Sequence, residues 1–530
     1  TLDPELEEPI RAELFGIERL EQHAESLAAA QIITGDLRRG RLLTPRVLEN
    51  GRVLVESYRT IARAIREEKT ITPAAEWLVD NFHIVDEQLR EIIDDLPPGY
   101  YRQLPKLASG HLQNYPRVFG VAWAFVAHTD SRFDPDMLRR FVMAYQRVQP
   151  LTIGELWAVA ISLRIVLVEN LRRLAERIVH SRAARLEADE LADGLLGTGA
   201  LAVEPSATAL RRFEHRPLAT AFAVQLSQRL RDLDPKVRPI LLWLDQRLAA
   251  QGTTADDIVH AEHQQQAAMS VTVRNIITSM RLTSAFDWAV FFENVSPVDA
   301  ILQREPRYAE MDFVTRDTYR HAIEDLSRGT GLSEIDVTER VVDRARRAAG
   351  EPHGSGQPER ERHMDPGYYL ISQGRRAFER ELGYGVSWKR RLLRWYVRAS
   401  APGYLGSLAV VTAMVTALPL WHAGEVNVSI AGLAVLSLLA LVPASDLAMA
   451  LINRTVMAIL RPRPLPRMEL RDGIPKELRT IVVVPTLLTN LQGIDEQVER
   501  LEVHYLANSD DDLRFALLSD WRDASSESMP

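Results

Sequence analysis

Two long uncharged runs stand near one end of this chain, and they limit what it can fold into more than any other feature. From Ala399 to Trp421 no side chain is charged, and a second such run goes from Val426 to Ser445. Each approaches the ~20 residues a helix needs to cross ~30 Å of hydrocarbon. Only His422-Ala423-Gly424-Glu425 separates them. The expected structure is a helical hairpin with its turn at these four residues. Lys389, Arg390, Arg391, Arg394 and Arg398 precede it, and Arg454, Arg461, Arg463 and Arg467 follow, while the turn carries neither Lys nor Arg. Positive flanks stay on the cytoplasmic side, so both ends of the hairpin are expected there. Asp446 interrupts the second run and is assigned to the cytoplasmic interface, because a carboxylate deep in hydrocarbon is costly.

The 530 residues carry a formal net charge of −8 and no cysteine. The acidic balance gives no general case for nucleic-acid binding. The missing thiols remove disulfides, thiol catalysis and cysteine-ligated metals. The chain begins with Thr1 rather than Met, and its opening stretch lacks the apolar run of a signal peptide. It is therefore expected to be part of a longer protein.

Residues 1–388 carry apolar residues at helical spacing and are expected to form a helical cytoplasmic domain. The clearest stretches are Arg52–Leu96, Ile153–Glu190 and Ala207–Ala250. Thr152 with Glu155 and Thr254 with Asp257 have the spacing of N-terminal caps. Breaks are expected at Pro97-Pro98-Gly99, Gly197-Thr198-Gly199 and Gly329-Thr330-Gly331. Gly350 to Pro366 is expected to be a linker or loop. Ile165 to Val168 lies too close to Arg164 and Glu169 for a third span and is assigned to the core.

Several groups in this part have two readings. His260 and His263 with Asp256 and Asp257 share a helix face that a metal could use, but no further ligand stands at a recognised spacing, so they are taken as an exposed polar face. Asp287 and Glu293 flank Trp288, Phe291 and Phe292 and are taken as the rim of an aromatic core. The Tyr100-Tyr101 and Tyr368-Tyr369 pairs are taken as loop aromatics packed inward. The Gly-x-Gly sites follow helical patterns, unlike a phosphate loop.

The pattern changes after the hairpin. Residues 389–461 form the hairpin with its basic flanks, and 462–530 begin a different domain. Pro462, Pro464 and Pro466 suggest a stiff connector. Thr480 to Pro485 is a continuous β-branched run that predicts a buried parallel strand ended by proline. Ile494, Val498, Leu501 and Tyr505 follow at helical spacing, and Leu513 to Ser519 predicts a second strand ending in Asp520. Ligands of open α/β sheets bind at the carboxyl ends of strands. Pro485, Thr486 and Asp520 are thus the candidate site residues. Asp510-Asp511-Asp512 precedes the second strand and is expected to be a solvated turn.

The stretch from Gly473 to Asn490 (GIPKELRTIVVVPTLLTN), with VERLEVHYLANSDDDLRFALLSDWRDA after it, resembles the opening of the glycosyltransferase domain of bacterial cyclic β-1,2-glucan synthases. ELFGIERLEQHAESLAAAQ near the start and GYYLISQGRRAFERELGY before the hairpin resemble the same family. The resemblance implies a mainly helical protein. It would have a large cytoplasmic helical domain, a transmembrane hairpin and the truncated start of a GT-A-type domain. It implies a multi-pass enzyme of the bacterial inner membrane that polymerises glucose from UDP-glucose into a cyclic β-glucan. Pro485 and Thr486 would then lie against the uridine, and Asp520 would face the uracil or ribose. A divalent cation, Mg or Mn, is expected for the whole enzyme. Its ligands and the catalytic base are expected beyond Pro530, so no catalytic or metal residue is assigned, and the chain alone is expected to be inactive. The rival is a non-catalytic, membrane-anchored helical scaffold that binds a protein partner.

Overall fold

A computed structural model describes residues 7–34, 40–67, 70–96, 98–196, 210, 212–214, 216–230, 238–350, 357–426, 428–460, 465–470, 473–521 and 523. The chain is mainly helical and divides into two compact units, Thr1–Ile301 and Leu302–Pro530. Pro97, Gly197-Thr198-Gly199, Ala207, Arg461, Pro462, Arg463 and Pro464 lie outside the described residues.

In the first unit α1 (Ile17–Ala30), β1 (Ile33–Thr34), α2 (Leu43–Arg66), α3 (Pro73–Asp80), α4 (Phe82–Asp94), α5 (Pro98–Tyr101) and β2 (Lys106–Leu107) lead to α6 (Arg117–His128) and α7 (Pro135–Val148). Then come α8 (Ile153–Leu196), α9 (Thr220–Leu230), α10 (Arg238–Ala250), α11 (Ala255–Ala285), α12 (Trp288–Val295) and α13 (Pro297–Leu302). The 44 residues of α8 form the spine against which α2, α6, α9 and α11 pack. Ile165 to Val168 sit at its buried heart, as expected of a core stretch. The helix starts at the expected capping box. Thr152 Oγ1 accepts from the Glu155 amide at 3.2 Å, and Glu155 Oε2 accepts from the Thr152 amide at 3.0 Å. Glu155 also takes a two-pronged hydrogen bond from the buried Arg117, so one carboxylate serves cap and core. Arg52–Leu96 falls in three helices. Pro73, with Thr72 capping, starts α3, and α4 restarts after Asn81.

In the second unit α14 (Pro306–Ala309), α15 (Phe313–Thr330), α16 (Glu334–Gly350), α17 (Gln357–His363), α18 (Pro366–Leu370) and α19 (Arg375–Glu381) precede α20 (Trp388–Arg398). The stretch taken as a loop from Gly350 to Pro366 therefore contains a helix, α17. Glu361 of that helix accepts from Arg307 of α14 at 2.9 Å. Gly329 lies inside α15, where a Cβ would meet the Tyr384 ring at 2.0 Å. That glycine is a seat for Tyr384, and Gly331 ends the helix at φ 77°.

The uncharged runs form α21 (Ser400–Glu425) and α22 (Ile430–Ile459), both long and apolar enough to cross a membrane. The turn lies after Glu425, not at His422–Glu425. The first helix continues through all four residues, and Ser429 caps α22 by accepting from the Gly432 amide at 3.2 Å. The helices meet over Thr412, Thr416, Ala444, Ala448 and Ile452, mostly small residues that let backbones approach. Tyr404 donates across the pair to Asn453 at 2.9 Å. Elsewhere the large apolar side chains face outward: Leu418 is 74% exposed and Ile430 88%. Such a surface suits hydrocarbon rather than water. Asp446 is exposed, 16 residues past the start of α22, or ~24 Å along the helix.

Both ends of the hairpin are tied to α15. On the arriving side, Asp325 of α15 accepts from Arg390 of α20 at 2.9 Å, from Arg375 of α19 at 2.7 Å and from the Tyr384 hydroxyl at 3.3 Å. Glu379 accepts from Arg394 at 2.7 and 2.8 Å and from Arg375 at 3.0 Å. On the returning side, Arg467 donates its amide to Thr315 Oγ1 at 2.9 Å and accepts from the Asp312 amide at 3.0 Å. The Glu469 amide reaches the Glu310 carbonyl at 2.8 Å, and Arg316 pairs with the Glu469 carboxylate at 3.1 Å. A short bridge joins Met311 to Met468.

Candidate functional site

The segment after the connector folds as a strand, a helix and a parallel strand: β3 (Thr480–Leu488), α23 (Leu491–Ala507) and β4 (Leu513–Trp521). A β-branched run such as Thr480 to Val484 favours the extended backbone. Asn490 ends the loop after β3 by capping α23, its Oδ1 accepting from the Gly493 amide at 2.6 Å. Phe515 of β4 meets Tyr505 of α23 edge-on, with ring centres 6.4 Å apart, which sets the helix against one face of the pair.

Two expectations about β3 need correction. The strand does not end at Pro485 but runs on to Leu488. Among the described residues β3 pairs only with β4, so Pro485 lies on an edge strand, where a missing N–H is tolerated. Nor is the strand buried. Ile481, Val482 and Val483 are 60%, 39% and 44% exposed, because a single helix covers only one face of a two-stranded sheet. Of the expected helix face, Ile494 and Leu501 are half-buried while Val498 and Tyr505 remain exposed.

The register decides which candidate residues meet. Thr486 stands opposite Ser519, and Asp520 stands opposite Leu487. Side chains alternate between faces along a strand, and registered positions share one. Thr486 and Ser519 therefore lie on the α23 side with Val482 and Phe515, while Pro485 and Asp520 share the open side with Leu518. The structure brings Pro485 and Asp520 together and parts them from Thr486. Thr486 is half-buried, and Pro485 and Asp520 are exposed, with Asp520 eighth of the nine β4 residues. Ser519 is the polar residue beside Thr486. Counting from Thr480 opposite Leu513 would have found it, but that pairing is not written in either strand alone.

The acidic triplet before β4 is a braced turn. Asp510 accepts from the amides of Asp512 at 2.8 Å and Ile474 at 2.9 Å, and these hydrogen bonds hold its carboxyl below the usual carboxylate range. Asp512 accepts from Arg479 at 2.8 Å. Both carboxylates are thus engaged in shaping the turn. No group of three or more acidic or histidine side chains among the described residues is placed to hold a metal ion.

The other groups weighed from sequence have structural places. His260 and His263 are exposed on α11, which Thr254 caps by accepting from the Asp257 amide at 3.2 Å. Asp287 caps α12, and Phe291 and Phe292 are buried beneath it. Tyr101 and Tyr369 are buried, and Tyr368 is half-buried.

No family model matches the chain. It is 37% identical over 494 residues to the cyclic beta-(1,2)-glucan synthase NdvB of Rhizobium meliloti (strain 1021). That alignment covers 91% of this chain and 17% of the relative, so the chain spans about a sixth of the length of the curated protein it matches.

Proposed function

We propose that this chain, a relative of cyclic β-(1,2)-glucan synthase across nine-tenths of its length, is the membrane-anchored N-terminal portion of such an enzyme. In this reading the whole protein takes glucose from UDP-glucose and builds a β-1,2-linked glucan, which it then closes into a ring. The 37% identity carries the reading. The parallel strand–helix–strand that follows two membrane-length helices supports it, because open α/β units bind ligands at the carboxyl ends of their strands, as the start of a GT-A-type domain would. Residues 1–388 would serve as the helical cytoplasmic domain, 389–461 as the hairpin in the bacterial inner membrane, and 462–530 as the start of the transferase.

Asp520 and Pro485, which share the open face, are the residues proposed to meet the uridine. Thr486 and Ser519 lie across the sheet from them and are proposed to support the strand ends. A carboxylate in this place can accept hydrogen bonds from a uracil N–H or from ribose hydroxyls. A divalent cation is proposed for the whole enzyme, but Asp510 and Asp512 do not fit one, since they are committed to backbone amides and to Arg479 respectively.

The test is UDP binding to the purified chain, followed by saturation-transfer NMR, beside an assay of labelled glucose incorporation from UDP-glucose. Uridine contacts without incorporation are expected. Incorporation by residues 1–530 would overturn the assignment of catalysis to other parts of the enzyme. Absence of any UDP contact would favour the scaffold instead.

A further inference from the structure

α20 is an amphipathic helix with no buried residue, lying immediately before the first membrane-length helix. Trp388, Leu392 and Trp395 recur at i, i+4 and i+7 and so form one stripe. They are 70%, 57% and 66% exposed. The opposite face carries Arg390 and Arg394, which are held by Asp325 and Glu379. The protein thus grips α20 by its basic back and leaves its aromatic front uncovered. Lys389, Arg391 and Arg398 are exposed on the flanks of the stripe.

α20 is not a straight extension of α21. Tyr396 and Ser407 are eleven residues apart, which on one unbroken helix means ~16.5 Å along the axis. Their hydroxyls are nevertheless 3.1 Å apart. The chain therefore bends at Ala399, whose ψ of 7° departs from the helical value, and α20 leaves the axis of α21 there. Gly403 makes the approach feasible, since a Cβ there would stand 3.2 Å from the Tyr396 carbonyl oxygen.

We propose that α20 lies in the plane of the membrane surface, with Trp388, Leu392 and Trp395 seated in the headgroup layer and Lys389, Arg391 and Arg398 on anionic lipid phosphates. Two observations choose a lipid surface as the occupant. The stripe continues directly into a helix of membrane-spanning length, through a bend that turns it off that helix's axis. Its composition also matches an interfacial helix, with tryptophans between basic residues, since indole rings settle at headgroup depth and arginine and lysine attract anionic lipid. The inference rests on the reading of α21 and α22 as membrane spans.

The cysteine-free sequence permits a direct test by single nitroxide labels on the full chain in proteoliposomes. Labels go at Leu392→Cys on the stripe, at Val397→Cys half a turn around α20, and at Leu438→Cys in α22. Vesicles are of phosphatidylcholine alone, or of roughly 3:1 phosphatidylcholine to phosphatidylglycerol. Collision with oxygen and with a water-soluble nickel chelate reports depth. The expected result is a lipid-exposed Leu392 label at headgroup depth, deeper with phosphatidylglycerol, and a water-exposed Val397 label. Replacing Lys389, Arg391 and Arg398 together by Ala should abolish the lipid-charge dependence. A Leu392 label as water-exposed as Val397, or shielded from both reagents, would overturn the proposal, as would a depth indifferent to phosphatidylglycerol. A water-exposed Leu438 label would instead overturn the spanning hairpin itself.

Discussion

Glu379 and Arg394 meet through both oxygens and both terminal nitrogens, at 2.7 and 2.8 Å, with the carboxylate almost wholly enclosed. Burial alone would push the Glu379 carboxyl up, but hydrogen bonds from Arg394 and Arg375 outweigh it and hold the group below its ordinary range. A depressed folded-state carboxyl stabilises above its unfolded pKa, near ~4.3, and that contribution is lost as pH falls through the folded value. The protection of α20 amides, measured against their intrinsic exchange rate, should therefore fall below about pH 4. Glu379→Ala should produce the same loss of protection at neutral pH, by about tenfold to a hundredfold, the size of a charge-assisted hydrogen bond of ~1.5–3 kcal/mol. Unchanged exchange in the variant would show that other contacts hold α20.

Gly403 and Gly406 offer a matched comparison on one helix. A side chain at Gly403 would press on the Tyr396 carbonyl and ring, whereas at Gly406 nothing lies within 4 Å. Gly403→Leu should cost about 1–3 kcal/mol and break the Tyr396–Ser407 contact. Gly406→Leu should stay within about 0.5 kcal/mol of the parent. Thermal melting of both in the same detergent, with amide exchange at α20, checks the contrast.

Glu155 joins a cap to a buried ion pair, so its loss should exceed that of the cap alone. Glu155→Ala leaves Arg117 charged and enclosed, and should destabilise by about 3–5 kcal/mol. Thr152→Ala removes only the cap and should cost about 1 kcal/mol. Urea unfolding followed by circular dichroism ranks the two, and equal losses would mean that Arg117 finds another partner.

Asp520→Ala should weaken UDP binding by about tenfold to a hundredfold, while Thr486→Ala, on the helix-covered face, should leave it within about twofold. Calorimetric titration with UDP and a melting curve on each variant distinguish lost contact from lost structure. A larger effect at Thr486 than at Asp520 would place the nucleotide on the other face.

Reporter fusions after Gly350 and at Gly493 should both report cytoplasm, and one at Gly424 the far side. The motive is the basic residues on both flanks of the hairpin and their absence from the turn. A periplasmic signal from either flank would invert the topology.

The hairpin and the strand–helix–strand were legible in the sequence because each is written locally, as uncharged length in one and as a β-branched run before helical periodicity in the other. The capping boxes at Thr152 and Thr254 were legible for the same reason. What was not legible depends on pairing at a distance. Whether Thr486 and Asp520 share a face depends on a register between strands 33 residues apart (Thr480 opposite Leu513), which neither strand encodes alone. The clamp of Arg390 on Asp325 joins residues 65 apart, so the basic run before the hairpin read only as a topology signal. The persistence of β3 through Pro485 was hidden because proline forbids a donor, not an extended backbone.

α15 touches the chain twice, once where it approaches the hairpin and once where it returns. Thr315 and Asp325 are ten residues apart on that helix, ~15 Å, and each fixes one limb. A body fastened at one point can swivel freely, but one fastened at two can only rock about the line between them. The six residues from Leu460 to Leu465 can reach no more than ~20 Å however they run. α15 therefore works as a crossbar between the two limbs of the hairpin. The segment that follows Glu469 starts from an anchored point, as a rope does that is made fast to a cleat before it runs on.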